Sequence, residues 1–206
     1  MSNHLNEIIE RHNSVANLQV VFVDIEKYSQ RRTQSQVAVI ECFTKHLKAA
    51  LSTISANYVQ YAQRNNINMS ADIVRIPTGD GAAIVFSFDG LHDIHLTFAL
   101  ALLQEVHASN IASPCDRFET DGWCNCHTNY YLRTGINEGR GIIFQDINGS
   151  YNAAGAVLNN AARVMGRGDR QQVLFTESAY EQIVDMIYDD NLADRYQTNT
   201  NVAFKH

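Results

Sequence analysis

The apolar and polar positions along this chain alternate between strand-like and helix-like patterns. Residues 18–25 (LQVVFVDI) are a near-continuous apolar run of strand length. That predicts a central strand covered on both faces, with Asp24 at its C-terminal end. Val37, Ile40, Phe43, Leu47, Leu51 and Ile54 then recur at spacings of three and four, the stripe of a long amphipathic helix with Ser29 as its candidate cap. This helix ends before the polar segment 63–68. Residues 72–88 (DIVRIPTGDGAAIVFSF) set β-branched and aromatic residues on both sides of a Pro- and Gly-marked turn, the composition of a hairpin. A second helix, over 91–106, carries Ile94, Phe98, Leu102 and Val106 on one face. Residues 109–129 have no period and many turn formers, and read as a loop insertion. Residues 130–136 and 141–144 are expected to pair as strands about Glu138-Gly139. A helix over 153–165 is stopped by Gly166 and Gly168. A strand at 173–175, a helix at 177–188 and a polar tail reaching the apolar stretch 202–204 complete the chain. Residues 1–16 read as a polar, partly helical lead-in.

Strand, helix, hairpin, helix, strand is the order of a ferredoxin-like βαββαβ sheet, so the fold class expected is α+β. With no internal repeat and no linker, residues 1–206 are expected to form a single domain. The order has a chemical consequence. A helical crossover makes the first two strands run the same way. Asp24 then lies at the same sheet edge as the turn holding Asp80 between Gly79 and Gly81, and the third strand returns beside the first. An Asp between two glycines is, by itself, either turn chemistry or a metal ligand. Beside Asp24 it completes a carboxylate pair suited to hard divalent cations, Mg²⁺ or Mn²⁺. The long helix begins just after Asp24, so its free N–H groups face the same place and favour phosphate. Asn159 and Arg163, four apart on one helix face, are either a solvated polar face or a functional pair. The small, apolar character of the rest of that helix favours the second reading.

Composition narrows the function. The chain has 206 residues, 45% apolar and 18% charged, which gives one sizeable domain of ordinary globular character. A net charge of −6 argues against a nucleic-acid partner, though not against a nucleotide whose phosphates are neutralised by metal ions. The polar N-terminus has no secretory leader and no apolar run reaches bilayer length, so a cytoplasmic protein without a membrane partner is expected. Cys115, Cys124, Cys126 and His127 gather in the 109–129 segment without the paired CxxC spacing of zinc modules. They read as reduced thiols in an irregular surface insertion, with a zinc site as the alternative.

At these residues the sequence resembles the class III nucleotide cyclases, the family of adenylate and guanylate cyclases, from about residue 18 to residue 180. VFVDIEKYS resembles the family's first metal strand and phosphate-binding turn, and PTGDGAAIVFSF its second metal hairpin. LRTGINEGRG and YNAAGAVLNNAAR resemble its dimerisation arm and transition-state helix. The resemblance implies that Asp24 and Asp80 bind two divalent cations, Mn²⁺ or Mg²⁺. One would lower the pKa of the ribose 3′-hydroxyl and the other would hold the triphosphate. It places Ile25 with the metal residues, and Ile25, Tyr28 and Ser29 at a turn that grips phosphates largely through backbone amides. Asn159 would orient the ribose, Arg163 would stabilise charge on the α-phosphoryl group, and Lys205 would bind phosphate. The products would be a 3′,5′-cyclic nucleotide and pyrophosphate, made by a homodimer with active sites at its interface.

Two departures bear on the base. Where adenylate cyclases usually carry Lys and guanylate cyclases Glu, this chain has Ile76; where the family commonly has Asp or Cys, it has Asn152. Neither purine code is present. The single-domain layout is similar to that of the stand-alone bacterial cyclases of Pycsar antiphage defence, which make cyclic UMP or cyclic CMP. The expected reaction is therefore UTP to cyclic UMP, with CTP second. Ile76, Asn152 and, if its side chain turns inward, Arg75 are the candidate base contacts. The alternatives are an adenylate cyclase with an unusual pocket, a cytidylate cyclase, a catalytically dead cyclase-like domain and a polymerase-type palm.

Overall fold

The computed structural model describes residues 3–11 and 15–190. A helix α1 (Asn3–Arg11) leads to strand β1 (Val15–Ile25), a 3-10 turn (Tyr28–Gln30), the long helix α2 (Thr33–Asn57) and its continuation α3 (Val59–Arg64). The hairpin β2 (Val74–Pro77) and β3 (Gly81–Phe86) comes next, followed by α4 (Ile94–Ala112) and the short α5 (Asp116–Asp121). Then come β4 (Leu132–Gln145), β5 (Tyr151–Ala154), α6 (Ala156–Met165), β6 (Gln172–Phe175) and α7 (Glu177–Asp190). The sheet order is β2-β3-β1-β4-β5, with β6 also on β4. Every pairing is antiparallel except β4 with β6. β1-α2-β2-β3-α4-β4 is the ferredoxin-like unit, and β1 and β2 run the same way because both oppose β3.

Alternation along β1 divides the apolar residues between two cores. Val21, Val23 and Ile25 enter the larger cluster with Val39, Phe43 and Ile54 of α2 and Ile94, Phe98, Leu102 and Val106 of α4. Leu18 and Val20 enter a smaller cluster with Leu5 and Ile8 of α1 and Val157 and Ala161 of α6. A strand covered on both faces requires the unbroken apolar run read in the sequence. The lead-in is accordingly part of the fold, since Leu5 is fully buried.

Several boundaries differ from expectation, each for a physical reason. Residues 130–144 are not a strand pair about Glu138-Gly139. β4 is one 14-residue strand in which Glu138 lies opposite Gln19 and Gly139 opposite Leu18. Pairing along the whole of β1 overrides the local turn preference of Glu-Gly. The reversal falls later, where Asp146 Oδ1 accepts the N–H groups of Asn148 and Ser150 at 2.8 and 3.0 Å. Residues 153–154 belong to β5 rather than to the helix, which begins after Gly155. The 109–129 segment is not wholly a loop, for α4 runs on to Ala112 and α5 buries Phe118 against the Tyr131 ring, with centroids 4.4 Å apart. Val37 is 57% exposed and Val39 takes its place in the core. Ser29 does not cap α2. It lies in the 3-10 turn, and the cap position falls to Arg32, whose N–H donates to Asn125 Oδ1 at 3.0 Å.

α6 sits directly on the sheet at Gly135, where a Cβ would collide with the Ala161 carbonyl and the Met165 backbone nitrogen. Gly135→Ala is therefore expected to destabilise the protein by about 1–3 kcal/mol, the usual cost of overpacking a tight contact. A urea-unfolding midpoint equal to wild type would show that the helix can lift off freely. Among the described residues, no helix is long and apolar enough to cross a membrane. The expected stretch 202–204 and Lys205 lie outside the described residues.

Candidate active site

The site forms where β1 ends. Asp24 lies between Gly81 of β3 and Arg133 of β4 in the pairing register. The Ile25 N–H donates to the Asp80 carbonyl at 3.0 Å, which ties the hairpin turn to the end of β1. That turn closes through Thr78 N–H on the Gly81 carbonyl at 3.1 Å. It needs glycine at position 79, where φ is +94°, a region L side chains rarely adopt.

The side chains converge as the backbone requires. The Asp80 carboxylate lies close enough for its charge to act on Asp24. Arg133 donates through Nε to Asp24 Oδ2 at 3.1 Å and through Nη2 to the same oxygen. Burial pushes the Asp24 carboxyl above the usual carboxylate range. The Arg133 hydrogen bond opposes this, and the neighbouring Asp80 charge adds to it. Two neighbouring carboxylates carry more negative charge than the single positive charge of Arg133 offsets. Acceptor-only oxygens in such excess fit a hard divalent cation, so the donor set suits Mg²⁺ or Mn²⁺.

Arg133 was not among the residues picked from the sequence. It becomes visible only when residues 132–145 are one strand in register with β1, because that register alone sets Arg133 opposite Asp24.

The adjoining turn is rigidly held. Lys27 adopts a left-handed conformation, with φ 54°, and the Tyr28 carbonyl accepts the Arg31 N–H at 3.0 Å. Tyr28 packs on the larger core, Ser29 is exposed, and the Ile25 side chain is buried, so only backbone atoms of Ile25 reach the site. On α6, Val157 and Ala161 are buried against the sheet. Asn159 and Arg163 lie two positions further on, about 200° round the helix axis, and face away from it. Both are exposed. The structure therefore does not bring Asn159 and Arg163 to Asp24 and Asp80 within one chain.

β2 and β5 lie against each other. Ile76 is half-buried in the smaller core, which also takes Tyr151 and Ala153. Asn152 lies opposite Phe144 on the other face of β5, and its Oδ1 accepts the Ala153 N–H at 2.8 Å. Arg75 is exposed and donates to the Ser70 carbonyl at 2.8 Å, on the face of β2 opposite Ile76, so it does not join Ile76. Ile142 and Phe144 on β4 and Ile147 in the turn after it leave apolar side chains exposed.

The fold is that of class III adenylyl and guanylyl cyclase domains. The guanylate cyclase domain of RhGC from Catenaria anguillulae, solved in complex with GTP, superposes with a TM-score of 0.55 at 17% identity, covering 82% of each chain. The adenylyl cyclase CyaB from P. aeruginosa gives 0.56 at 17% identity, over 83% of this chain and 82% of that one. The adenylate/guanylate cyclase/hydrolase from Silicibacter pomeroyi gives 0.54 at 17% identity, over 83% and 81%. No family model and no curated protein matches the chain.

Proposed function

We propose that this protein is a nucleotide cyclase that converts a nucleoside triphosphate, UTP by preference, into the 3′,5′-cyclic nucleotide and pyrophosphate. The observation that carries the reading is the Asp24–Asp80 carboxylate pair beside Arg133, at the end of β1 in a cyclase-domain fold. Two divalent cations, Mg²⁺ or Mn²⁺, would when bound supply the charge that acidifies the ribose 3′-hydroxyl and screens the triphosphate. Arg133 offers guanidinium N–H groups to phosphate oxygens beside them, and the 25–29 turn offers backbone N–H groups. Asn159 orients the ribose, and Arg163 stabilises charge on the α-phosphoryl group during in-line attack. Because those two face away from their own sheet, a second copy completes each site. The result is a homodimer with two active sites, for which exposed Ile142, Phe144 and Ile147 offer apolar surface.

Two features support a pyrimidine. Ile76 has no hydrogen bond to give where purine cyclases read the base edge. Asn152 has its oxygen engaged by the Ala153 N–H, which leaves the amide N–H groups to offer. A donor meets the carbonyls of uracil, whereas the amino group of cytosine would face it donor to donor. This matches the antiphage pyrimidine cyclases that the sequence resembles, and a second-messenger role follows from the same reading. Incubation with all four NTPs and Mn²⁺, followed by mass identification of products, is expected to give cyclic UMP first and cyclic CMP second. Predominant cyclic AMP or cyclic GMP would overturn the pyrimidine preference, and no cyclic product from any NTP would overturn the cyclase itself.

A further inference from the structure

The segment between α4 and β4 carries three cysteines that the proposed reaction does not use. Cys115 stands at the cap of α5, and Cys124 and Cys126 lie in the loop beyond it, yet the three sulfurs are all within 4.8 Å of one another. Cys126 Sγ approaches Cys115 Sγ at 3.4 Å, and Cys124 Sγ accepts the Cys126 N–H at 3.3 Å. Three thiolates on one tetrahedral Zn²⁺ lie about 3.8 Å apart when each Zn–S bond is about 2.3 Å. Small side-chain rotations take the observed cluster to that geometry.

A second observation is independent of the sulfur positions. Arg31 is 3% exposed and lies under this loop, donating to the carbonyls of Cys124 at 2.7 Å, Cys126 at 3.3 Å and Asn129 at 2.8 Å. Its Nε has no partner, and among the described residues no carboxylate pairs with it. A buried guanidinium without a counter-charge is costly. Zn²⁺ with three thiolates has a net charge of −1, equal and opposite to that of Arg31. A Cys115–Cys126 disulfide would engage two sulfurs, leave the third idle and give Arg31 nothing.

We propose that Cys115, Cys124 and Cys126 bind one Zn²⁺ as thiolates, with solvent in the fourth position, and that this ion fastens the loop onto the chain at residues 27–35. Binding releases the three thiol protons. Soft sulfur ligands select zinc over the hard cations that suit Asp24 and Asp80, so the two sites do not compete for one metal. The loop it braces is already keyed to that stretch. Lys27 Nζ donates to the Asp121 carbonyl at 3.0 Å, the Arg32 N–H to Asn125 Oδ1 at 3.0 Å, and Ser35 Oγ to the Asn125 carbonyl at 3.0 Å. Tyr28 and Ser29 lie within it. The zinc site stands whatever reaction the protein catalyses.

Elemental analysis of the full chain, purified under reductant and without chelator, is expected to find about one zinc per chain. An Asp24→Ala/Asp80→Ala double variant should keep it, which separates this ion from any held by the carboxylate pair. Cys124→Ser and Cys126→Ser should each lose it. Should those variants fail to fold, wild-type protein still decides the matter. An organomercurial should release the zinc as it titrates the thiols, and Co²⁺ in its place should show thiolate-to-cobalt charge-transfer absorption. Less than about a tenth of a zinc per chain, both as purified and after reconstitution with Zn²⁺ under reductant, would overturn the proposal. So would a Cys115–Cys126 disulfide in the freshly isolated protein.

Discussion

Asp24→Ala and Asp80→Ala are each expected to lower cyclase turnover by at least roughly three orders of magnitude while leaving the fold intact, because each removes a carboxylate from the pair proposed to hold the activating charge. The fold should tolerate the loss. Asp24 carries burial and the Asp80 charge against it, and only Arg133 in its favour, so deleting either carboxylate relieves repulsion. Asp24→Ala also releases Arg133, which is about one-third exposed in its side chain and can turn to water. Circular dichroism and melting temperature should match wild type. Turnover near wild type in either variant, at saturating Mn²⁺, would remove both carboxylates from the chemistry.

The second large effect belongs to α6. Arg163→Ala should reduce kcat by roughly two to three orders of magnitude with a much smaller change in KM, as for a group whose interaction strengthens at the barrier. A change confined to KM would make Arg163 a binding residue only. The same variant tests assembly. Mixed with Asp24→Ala, it should regain activity, since one of the two interfacial sites in the heterodimer keeps every group. No recovery in confirmed heterodimers would mean that each site is built from one chain.

Much of this site was legible in the sequence because its parts are local. β1 announces itself by an apolar run that only a doubly covered strand needs, and the hairpin holding Asp80 by its Pro, Gly and β-branched residues. The α4 stripe at Ile94, Phe98, Leu102 and Val106 is buried as its period requires. What escaped was non-local. Glu138-Gly139 resembles a turn until eleven residues of β1 pair along the strand that contains it, and with that register Arg133 becomes the partner of Asp24. Val37 fits the α2 stripe by count but falls outside it, because the helix starts at Thr33 and its buried face is set by Val39. Arg31 drew no notice in the sequence, because only the return of the 124–129 loop makes it a buried anchor.

In the proposed dimer, the outward face of α6 also sets a rule for how output scales with protein level. A chain whose Asn159 and Arg163 point away from its own carboxylates carries two halves that never meet in the monomer. Well below the dissociation constant of the pair, the fraction of chains in complete sites rises in proportion to total protein, so product formation rises with its square. Doubling the amount of this protein would then quadruple the signal.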